Sequence, residues 1–414
     1  MGVERHEMRH LFLAPLGAAF GEALHGIRIA RQLVAAGHEV VFLAPAAMHT
    51  LIDDAPVQFG RIDLALPHLD QQIGSLLRRM RCGSLVLVDA AAVGKVARAF
   101  RLDTRAFTHP DVPVIALDCW NLPAQPVPWE YGAHVAETLP PEFHQIERRL
   151  VPVPIAPPDV KGGFMAMPPI APTSAADRHQ LRAELGLGDD DRLILWPSSS
   201  WQSAESHTDP ALARLAAALP ALILPRLDQL GPRVHVVHVG PVAFAAAEQL
   251  APRYRFLSQV PPRRFEQLVA AADLVIGFNS IATSLATAIA VRTPILVGTT
   301  TLRADTMLDV EDALGARLTP AVRAAIAPNL PLAPILAWPL RLGAVLSPML
   351  ADNPLVGAIG RVDPFEEAAY LDACRELLFD AAAADAARQR QDDYHRRVLA
   401  LPAGHEQLLS LAGA

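Results

Sequence analysis

The chain has 414 residues, 51% hydrophobic and 19% charged. This composition is typical of a folded globular protein, and the length indicates two domains because single cores seldom grow past about 250–300 residues. The formal net charge of -7 argues against a nucleic-acid surface, which needs a basic face. Cys82, Cys119 and Cys374 are too few and too scattered for a disulfide framework or a zinc site, so we expect a cytoplasmic protein.

The first third of the sequence alternates predicted strands and helices. HLFLAP, from His10 to Pro15, is predicted to be a buried strand, and Leu24–Ala36 has the apolar spacing of a helix that ends at Gly37. The alternation continues through HEVVFLAP, FGRIDLAL, QQIGSLLRRMR, SLVLVDA, VGKVARAF and VPVIALDCW. Strands that alternate with single helices predict a parallel, doubly wound sheet covered on both faces.

A proline-dense stretch between Leu139 and Pro172 interrupts this alternation, which resumes from LILWPS to PILVG. Proline disfavours helices and central strands, so the stretch is predicted to connect two domains. We therefore expect an α/β protein with two doubly wound, Rossmann-like domains that face each other across a cleft, where ligands of such sheets bind. The predicted divisions are an N-terminal domain at 1–150, a linker at 151–180, a second domain at 181–363, and a helical segment at 364–414 that can pack back on the first domain.

The segment GFNSIATSLATAIAVRTPILVG, from Gly277 to Gly298, is predicted to run from a strand through a loop and a helix to another strand. A helix that begins at Ser280 carries four hydroxyl side chains on one face, those of Ser280, Thr283, Ser284 and Thr287. Its first N–H groups and its dipole attract an anion, and the hydroxyls add donors. Alternatively, Asn279 or Ser280 only caps the helix, and the other hydroxyls bond back to carbonyls one turn earlier.

The order of these segments resembles that of the GT-B glycosyltransferases, especially their antibiotic, sterol and peptidoglycan branches. The motifs that carry the resemblance are Gly37–Val40, Ala272–Ile276, Arg292–Pro294 and Leu314–Leu318. The resemblance covers most of residues 8–60 and 190–318. It implies metal-independent transfer of a hexosyl group from a nucleotide-diphosphate sugar to a small-molecule acceptor, in specialised metabolism or envelope biosynthesis. The nucleotide-sugar is then a co-substrate, and no cofactor is required.

Two residues near the start of the first helix lie where the family has a histidine that acts as general base. Aligned through IRIARQLVAAG, Glu22 falls at about that position and His25 one turn along. A carboxylate or an imidazole can each take the proton of an acceptor hydroxyl. The alternatives are a carboxylate that complements the helix dipole for Glu22 and a helix-surface residue for His25. The acceptor itself is predicted to bind near Asp89, Asp118 and Trp120.

The donor is predicted to contact residues that follow strands of the second domain or begin its helix. These residues are Ser198, Ser199, Ser200, Trp201, His238, Gln259, Val260, Asn279, Ser280, Thr283, Ser284, Thr287 and Asp305. The serines suit a diphosphate, the indole packs on a base or an acceptor, and the carboxylate accepts hydrogen bonds from sugar hydroxyls. The alternatives are a serine-rich turn, a histidine bonded within the sheet and a solvated loop aspartate.

The sequence departs from the family at this donor loop. Ser280-Ile281 replaces a double glycine, and Thr287 stands at the place of a ribose-binding glutamate. Two other functions therefore stay open. One is a nucleotide-sugar 2-epimerase, although the sequence shows no convincing acidic pair; the other is an inactive GT-B-like binding partner. The proline-rich segment Pro331–Pro354 is predicted to line the acceptor pocket or to touch a membrane-borne acceptor, and no metal site is predicted.

Overall fold

The computed structural model describes residues 7–15, 20–48, 51, 57–62, 68–123, 125–131, 134–167, 170, 174–258 and 260–413. The chain divides into two compact units, each with its own parallel sheet. Unit 1 comprises Met1–Pro128, Glu137–Pro168 and Arg397–Ala414, and unit 2 comprises Trp129–Ala136 and Pro169–Arg396. The predicted α/β fold with two doubly wound sheets is confirmed.

The first sheet has the strand order of a doubly wound fold. The strands up to residue 165 are β1 (Arg9–Leu13), β2 (Glu39–Ala44), β3 (Gln58–Arg61), β4 (Ser84–Leu87), β5 (Val114–Leu117), β6 (Pro128–Tyr131), β7 (His134–Thr138), β8 (Arg149–Val153) and β9 (Gly163–Met165). Within the described residues the order is β3-β2-β1-β4-β5-β8-β9, all parallel, while β6 pairs with β7. The chain therefore reverses direction across the sheet between β1 and β4.

Alternate residues of β1 enter separate cores on the two faces of this sheet. Phe12 packs with the helices Phe20–Ala35 and Gly404–Ala412, whereas Leu11 and Leu13 pack with Leu69–Met80 and Ala90–Ala99. This division follows from the alternation of side chains along a strand and explains why the predicted strands are apolar throughout. Short helices at Ala46–Met48, Arg105–Thr108 and Pro141–His144 complete the described part of this unit.

The proline-dense stretch is not simply a connection. It contains β8 and β9, so most of the segment predicted as a linker at 151–180 lies in unit 1. Pro152 fits into β8 because the N–H that bonds to the β9 side is that of Val151, which donates to Gly162 O at 2.9 Å, and the pairing of β8 with β5 ends at Leu150. The predicted helical segment at 364–414 is divided as well, since Arg397–Ala414 belongs to unit 1.

The second sheet is also parallel. Its strands are β10 (Arg192–Pro197), β11 (Val234–Val239), β12 (Tyr254–Leu257), β13 (Leu274–Gly277), β14 (Ile295–Gly298) and β15 (Gly360–Val362). Their order is β12-β11-β10-β13-β14-β15. The α-helices that accompany them are Ala175–Glu184, Pro210–Asp228, Pro262–Ala271, Thr283–Ala290, Met307–Leu314, Pro320–Ile326, Gly343–Leu350, Leu355–Ala358, Glu367–Phe379 and Ala381–Leu399. The 3-10 helices are Ser200–Gln202, Ala204–Ser206, Ala245–Leu250, Gly315–Arg317 and Ala327–Asn329.

Two apolar segments of unit 2 belong to its core. The helix Pro210–Asp228 is long and apolar enough to cross a membrane by length and composition alone, yet its Leu219, Ile223 and Leu227 are buried in the core. In the proline-rich segment after residue 330, Leu332 and Ile335 are likewise buried in this core. Both segments are thus accounted for by packing against the second sheet.

Candidate functional site

Acidic side chains gather at the carboxyl ends of the central strands of unit 1. β1 and β4 are neighbours, so the residues that follow them line one small pocket. The lining residues are Ala14, Pro15, Glu22, Ala23, Val88, Asp89 and Ala92. Its cavity volume of about 10 Å³ is far below the roughly 300–1,000 Å³ of most ligand pockets. The enclosed space is therefore about that of one water molecule.

Asp89 is held in a strained backbone conformation at this pocket. Its φ of 119° and ψ of 85° lie outside the regions that non-glycine residues ordinarily adopt. Its side chain is 6% exposed and caps the helix Ala90–Ala99, where Oδ1 accepts a hydrogen bond from the Ala92 N–H at 3.0 Å. Strain of this kind is frequent at functional sites, where the surrounding structure maintains it.

Glu22 and Asp89 influence each other's protonation. Burial raises the pKa of Asp89 to about 7, and the neighbouring Glu22 carboxylate adds to the shift. Burial also raises the pKa of Glu22, which is half-buried near the start of its helix. Lys95 lies close enough to oppose the shift at Asp89, while burial lowers the pKa of Lys95 itself to about 8. The two carboxyl groups thus form the acidic pair that was not recognised in the sequence.

Asp118, which follows β5, extends this acidic group. It is 2% exposed, and its Oδ2 accepts from Leu122 N at 2.8 Å and lies 3.3 Å from Arg149 Nη1. Its Oδ1 is buried without a hydrogen-bond partner in the part of the chain that the structure describes. Burial raises the pKa of Asp118, and the nearby Cys119 thiol has a pKa raised by burial and then by Asp89, Glu22 and Asp118. The three carboxyl groups are therefore close enough to interact electrostatically. Trp120, two residues after Asp118, is half-buried.

His25 lies in the core rather than on the helix surface. It is 1% exposed, and neither ring nitrogen has a hydrogen-bond partner among the described residues. Burial lowers the pKa of His25 to about 3, and the Arg28 charge contributes to the shift. The helix approaches β4 closely because Gly26 has no side chain: a Cβ there would meet Val88 at 2.7 Å. A neutral, enclosed imidazole is a poor general base at neutral pH, so Glu22 is the stronger candidate.

In unit 2 the helix with the hydroxyl side chains begins at Thr283, three residues later than predicted. Ser280 is 1% exposed, and both its N–H and its hydroxyl donate to Leu336 O, at 3.0 and 2.9 Å. Thr287 is buried and donates to Thr283 O at 3.3 Å. Asn279 is buried as well, and its Oδ1 accepts from Ile281 N at 3.2 Å. Thr287 therefore bonds back to a carbonyl one turn earlier, as the alternative predicted, whereas neither Asn279 nor Ser280 caps the helix.

The other two of the four hydroxyl side chains predicted on one helix face lie at the start of that helix. Thr283 and Ser284 are half-buried in its first turn, and the preceding Ala282 provides no side-chain cap. The N–H groups of a first helical turn have no partner within the helix. Among the four predicted hydroxyl groups, the two in this first turn are therefore the ones that can bind an anion.

The serine-rich loop after β10 joins a hydrogen-bonded group with His238. Ser198 Oγ lies 2.7 Å from His238 Nε2, and His238 Nδ1 lies 2.7 Å from the Tyr254 hydroxyl. The backbone N–H of Ser199 donates to Gln202 at 2.9 Å, so the loop turns immediately into a 3-10 helix. His238 is thus bonded within the unit, as one alternative predicted, but it also holds a half-buried serine.

The remaining donor-side residues occupy separate places. Ser200 Oγ is buried with no hydrogen-bond partner in the described ranges, and Trp201 is half-buried, its carbonyl accepting from His207 at 2.8 Å. Val260 is half-buried after β12, whereas Gln259 lies outside the described residues. Asp305 is exposed just before the helix Met307–Leu314. Across the described ranges, no group of three or more His, Cys, Asp or Glu side chains is arranged to hold a metal ion.

Solved structures resemble the whole chain at low sequence identity. Anabaena HepE, crystallised with UDP and glucose, is 15% identical, with a TM-score of 0.53 over 98% of this chain and 100% of its own. The glycosyltransferase SnogD from Streptomyces nogalater is 15% identical, with a TM-score of 0.51 over 99% and 100%. A putative UDP-N-acetylglucosamine 2-epimerase from Listeria monocytogenes is 10% identical, with a TM-score of 0.50 over 94% and 92%. The chain therefore has the GT-B fold, and the resemblance seen in its sequence is confirmed at that level.

The sequence itself matches one family model, which extends over residues 29–414 and describes a family of unknown function, DUF6365. The chain belongs to this family. No curated protein matches the sequence significantly.

Proposed function

We propose that this protein transfers a glycosyl group from a nucleotide-diphosphate sugar to a small-molecule acceptor. The observation that carries the proposal is the acidic group at the ends of β1, β4 and β5, with Glu22 and Asp89 lining one pocket. The GT-B fold supports it, because HepE has this fold and was crystallised with UDP and glucose. Carboxyl groups with raised pKa values at the ends of parallel strands are typical of sites that move protons.

Glu22 is the proposed general base. The acceptor hydroxyl gives its proton to the Glu22 carboxylate while its oxygen forms a bond to the anomeric carbon of the sugar. The bond from that carbon to the diphosphate breaks, and the nucleoside diphosphate leaves with the electron pair. Burial and the neighbouring Glu22 carboxylate raise the pKa of Asp89 to about 7, so the two carboxyl groups titrate as a pair in the range where a general base has to act.

The diphosphate is proposed to bind in unit 2. The first turn of the helix Thr283–Ala290 offers N–H groups together with the Thr283 and Ser284 hydroxyls. Ser198 adds a further hydroxyl after β10, at the carboxyl end of a central strand. A helix N-terminus stabilises the charge that develops on a leaving diphosphate.

A nucleotide panel tests whether the protein binds such a donor. A ligand that binds only the native state raises the free energy of unfolding, by about 2.7 kcal/mol at 100 times its Kd. We expect at least one of UDP, dTDP, GDP and ADP to raise the unfolding midpoint in thermal denaturation. The corresponding nucleosides are the controls, since they lack the diphosphate. Midpoints that stay unmoved by all four nucleotides would count against the proposed function.

The reaction is proposed to need no bound metal ion, because the helix N-terminus and hydroxyls can meet the charge of the diphosphate. We expect enzyme treated with EDTA to retain its turnover, measured as release of nucleoside diphosphate from a nucleotide-sugar in the presence of acceptor. Adding Mg²⁺ or Mn²⁺ to the treated enzyme is the companion measurement. Loss of turnover with EDTA and its recovery with either ion would show that a metal takes part.

The acidic group also supports a second candidate, a nucleotide-sugar 2-epimerase. Inversion at C2 of the sugar requires a base that removes the C2 proton while the nucleoside diphosphate leaves C1 with its electron pair, and an acid that returns a proton to the other face of C2 as the diphosphate adds back. Glu22, Asp89 and Asp118 are close enough to interact electrostatically and can fill these roles. The Listeria protein of similar fold is a putative epimerase of this kind. Incubation of a UDP-sugar in D₂O without acceptor separates the two functions, because only the epimerase would incorporate deuterium at C2.

A further inference from the structure

Three side chains of unit 2 form a continuous hydrogen-bonded chain behind the serine-rich loop. Tyr254 on β12 bonds to His238 on β11, and His238 bonds to Ser198 directly after β10, with both distances 2.7 Å. The three strands are adjacent, and Trp196, His238 and Phe256 pair across them in register. The backbone supports the same arrangement, since Ser198 N donates to Val239 O at 2.8 Å.

Packing against neighbouring aromatic side chains fixes His238 between Tyr254 and Ser198. It is fully buried, and its ring stacks on Phe244 with a centroid distance of 3.8 Å and an interplanar angle of 9°. Trp196 and Phe256 flank the ring at centroid distances of 6.4 and 5.4 Å. Burial lowers the pKa of His238 to about 3. The imidazole is therefore neutral near pH 7, with one ring nitrogen as donor and the other as acceptor.

Gly240 leaves the space in which Ser198 and His238 meet. A Cβ at position 240 would lie 2.2 Å from Ser198 Oγ and 2.5 Å from His238 Nε2, so any side chain there would displace the pair. The backbone of Gly240 is itself tied down, with its N–H donating to Leu257 O at 3.1 Å. The contact between Ser198 and His238 is thus built into the path of the chain after β11.

The partners of Tyr254 favour one direction for these hydrogen bonds. The Tyr254 oxygen accepts from Phe244 N at 3.2 Å, and among the described residues His238 Nδ1 is the acceptor within reach of its proton. When Tyr254 donates to Nδ1, Nε2 carries the ring proton and donates it to Ser198 Oγ. The Ser198 hydroxyl, having accepted this bond, directs its own proton away from His238. A half-buried serine in this state is a hydrogen-bond donor, which suits an anionic oxygen.

We infer that Tyr254 and His238 are positioning residues that hold the Ser198 hydroxyl as a hydrogen-bond donor to the diphosphate of the nucleotide. The ligand's identity rests on the proposed function, whereas the direction of the hydrogen bonds does not. Ser198 contacts the ligand, and the other two residues act through it. This assigns His238 a role different from direct contact with the donor.

The protonation pattern can be read from the protein without any ligand. In ¹⁵N-histidine-labelled protein, two-bond ¹H–¹⁵N correlations distinguish the Nε2–H tautomer from the Nδ1–H tautomer, and His238→Gln identifies the signals by removing them. We expect the Nε2–H form in the wild type, and a shift toward Nδ1–H in Tyr254→Phe, which has no hydroxyl proton to give to Nδ1. A wild-type Nδ1–H tautomer would overturn the inference.

Binding measurements test the consequence for Ser198. By isothermal titration calorimetry, Ser198→Ala and Tyr254→Phe are each expected to weaken binding of UDP or dTDP, the former by about tenfold, with little effect on uridine or thymidine. Because Tyr254 acts through Ser198, the double variant should bind no more weakly than Ser198→Ala alone. Phe256→Leu is the matched control, since it alters packing beside His238 and leaves intact the two hydrogen bonds that join Tyr254, His238 and Ser198.

The two proposals fail in different ways. If the wild type binds UDP or dTDP and Ser198→Ala binds it equally well, Ser198 does not contact the diphosphate, while the proposed function stands. If the wild type binds none of UDP, dTDP, GDP and ADP, the donor assignment falls together with the proposed function, and the tautomer measurement still decides the hydrogen-bond direction. Additive losses in the double variant would show that Tyr254 acts independently of Ser198.

Discussion

Glu22→Gln is expected to lower kcat by about 10²- to 10⁴-fold, the usual contribution of a positioned general base. The amide has nearly the shape of the carboxylate but does not accept a proton, so the pocket beside Asp89 should keep its form. The measurement is steady-state release of nucleoside diphosphate, together with the thermal unfolding midpoint of each variant. A low kcat with a midpoint close to that of the wild type identifies the loss as chemical.

Glu147→Gln is the matched control because Glu147 is exposed in the same unit and lies outside the acidic group. Asp89→Asn adds a second comparison: the pKa of Asp89 is raised to about 7, so the wild-type profile of kcat/KM against pH should show an inflection there that the variant lacks. Full turnover by Glu22→Gln would remove Glu22 from the mechanism.

His25→Leu is expected to make the protein more resistant to acid. Burial lowers the pKa of His25 from 6.5 to about 3, so between these values the unfolded chain binds a proton that the folded protein does not. The free energy of unfolding therefore falls as the pH falls below 6.5, by about 1.4 kcal/mol per pH unit from this group. Removing the imidazole should reduce the loss between pH 7.5 and pH 4.5 by about 2–3 kcal/mol.

Urea unfolding followed by circular dichroism at both pH values measures this difference. The difference between variant and wild type is the quantity to compare, because the raised pKa of Asp89 acts in the opposite direction in both proteins. His109→Leu, at an exposed position of the same unit, is the control. The His25→Leu protein should also retain most of its turnover; an unchanged pH dependence, or an inactive folded enzyme, would contradict the placement of His25 as an inert core residue.

Much of the fold could be predicted from the sequence because its determinants are local. Apolar runs such as HLFLAP and SLVLVDA form β1 and β4. The helix predicted over Leu24–Ala36 corresponds to the helix Phe20–Ala35, and the predicted and observed C-terminal ends differ by one residue. The proline-dense stretch was misleading because a proline is tolerated wherever its N–H is not needed by the neighbouring strand, as at Pro152 in β8.

The site could be predicted only in part, because its chemistry depends on which strands become neighbours. Glu22, Asp89 and Asp118 follow three strands that are far apart in the sequence, and the order β1-β4-β5 brings these strand ends together. The hydroxyl side chains between Ser280 and Thr287 have a helical periodicity that is evident in the sequence, but their partners are not. Ser280 bonds to Leu336, 56 residues away, and no local pattern indicates that contact. The link from Tyr254 through His238 to Ser198 likewise depends on strand register.

The assembly of unit 1 from distant parts of the chain has a consequence for how the protein is made. Leu408 is fully buried in the core on one face of the first sheet, and a Cβ on Gly404 would meet Ile29 at 2.7 Å, so the last helix closes that core tightly. A ribosome synthesises this helix after unit 2, which leaves the apolar face on the side of Phe12 incompletely covered until Gly404–Ala412 has been made. Unit 1 is therefore begun before unit 2 and completed after it, and its uncovered apolar face favours aggregation of the nascent chain during that interval.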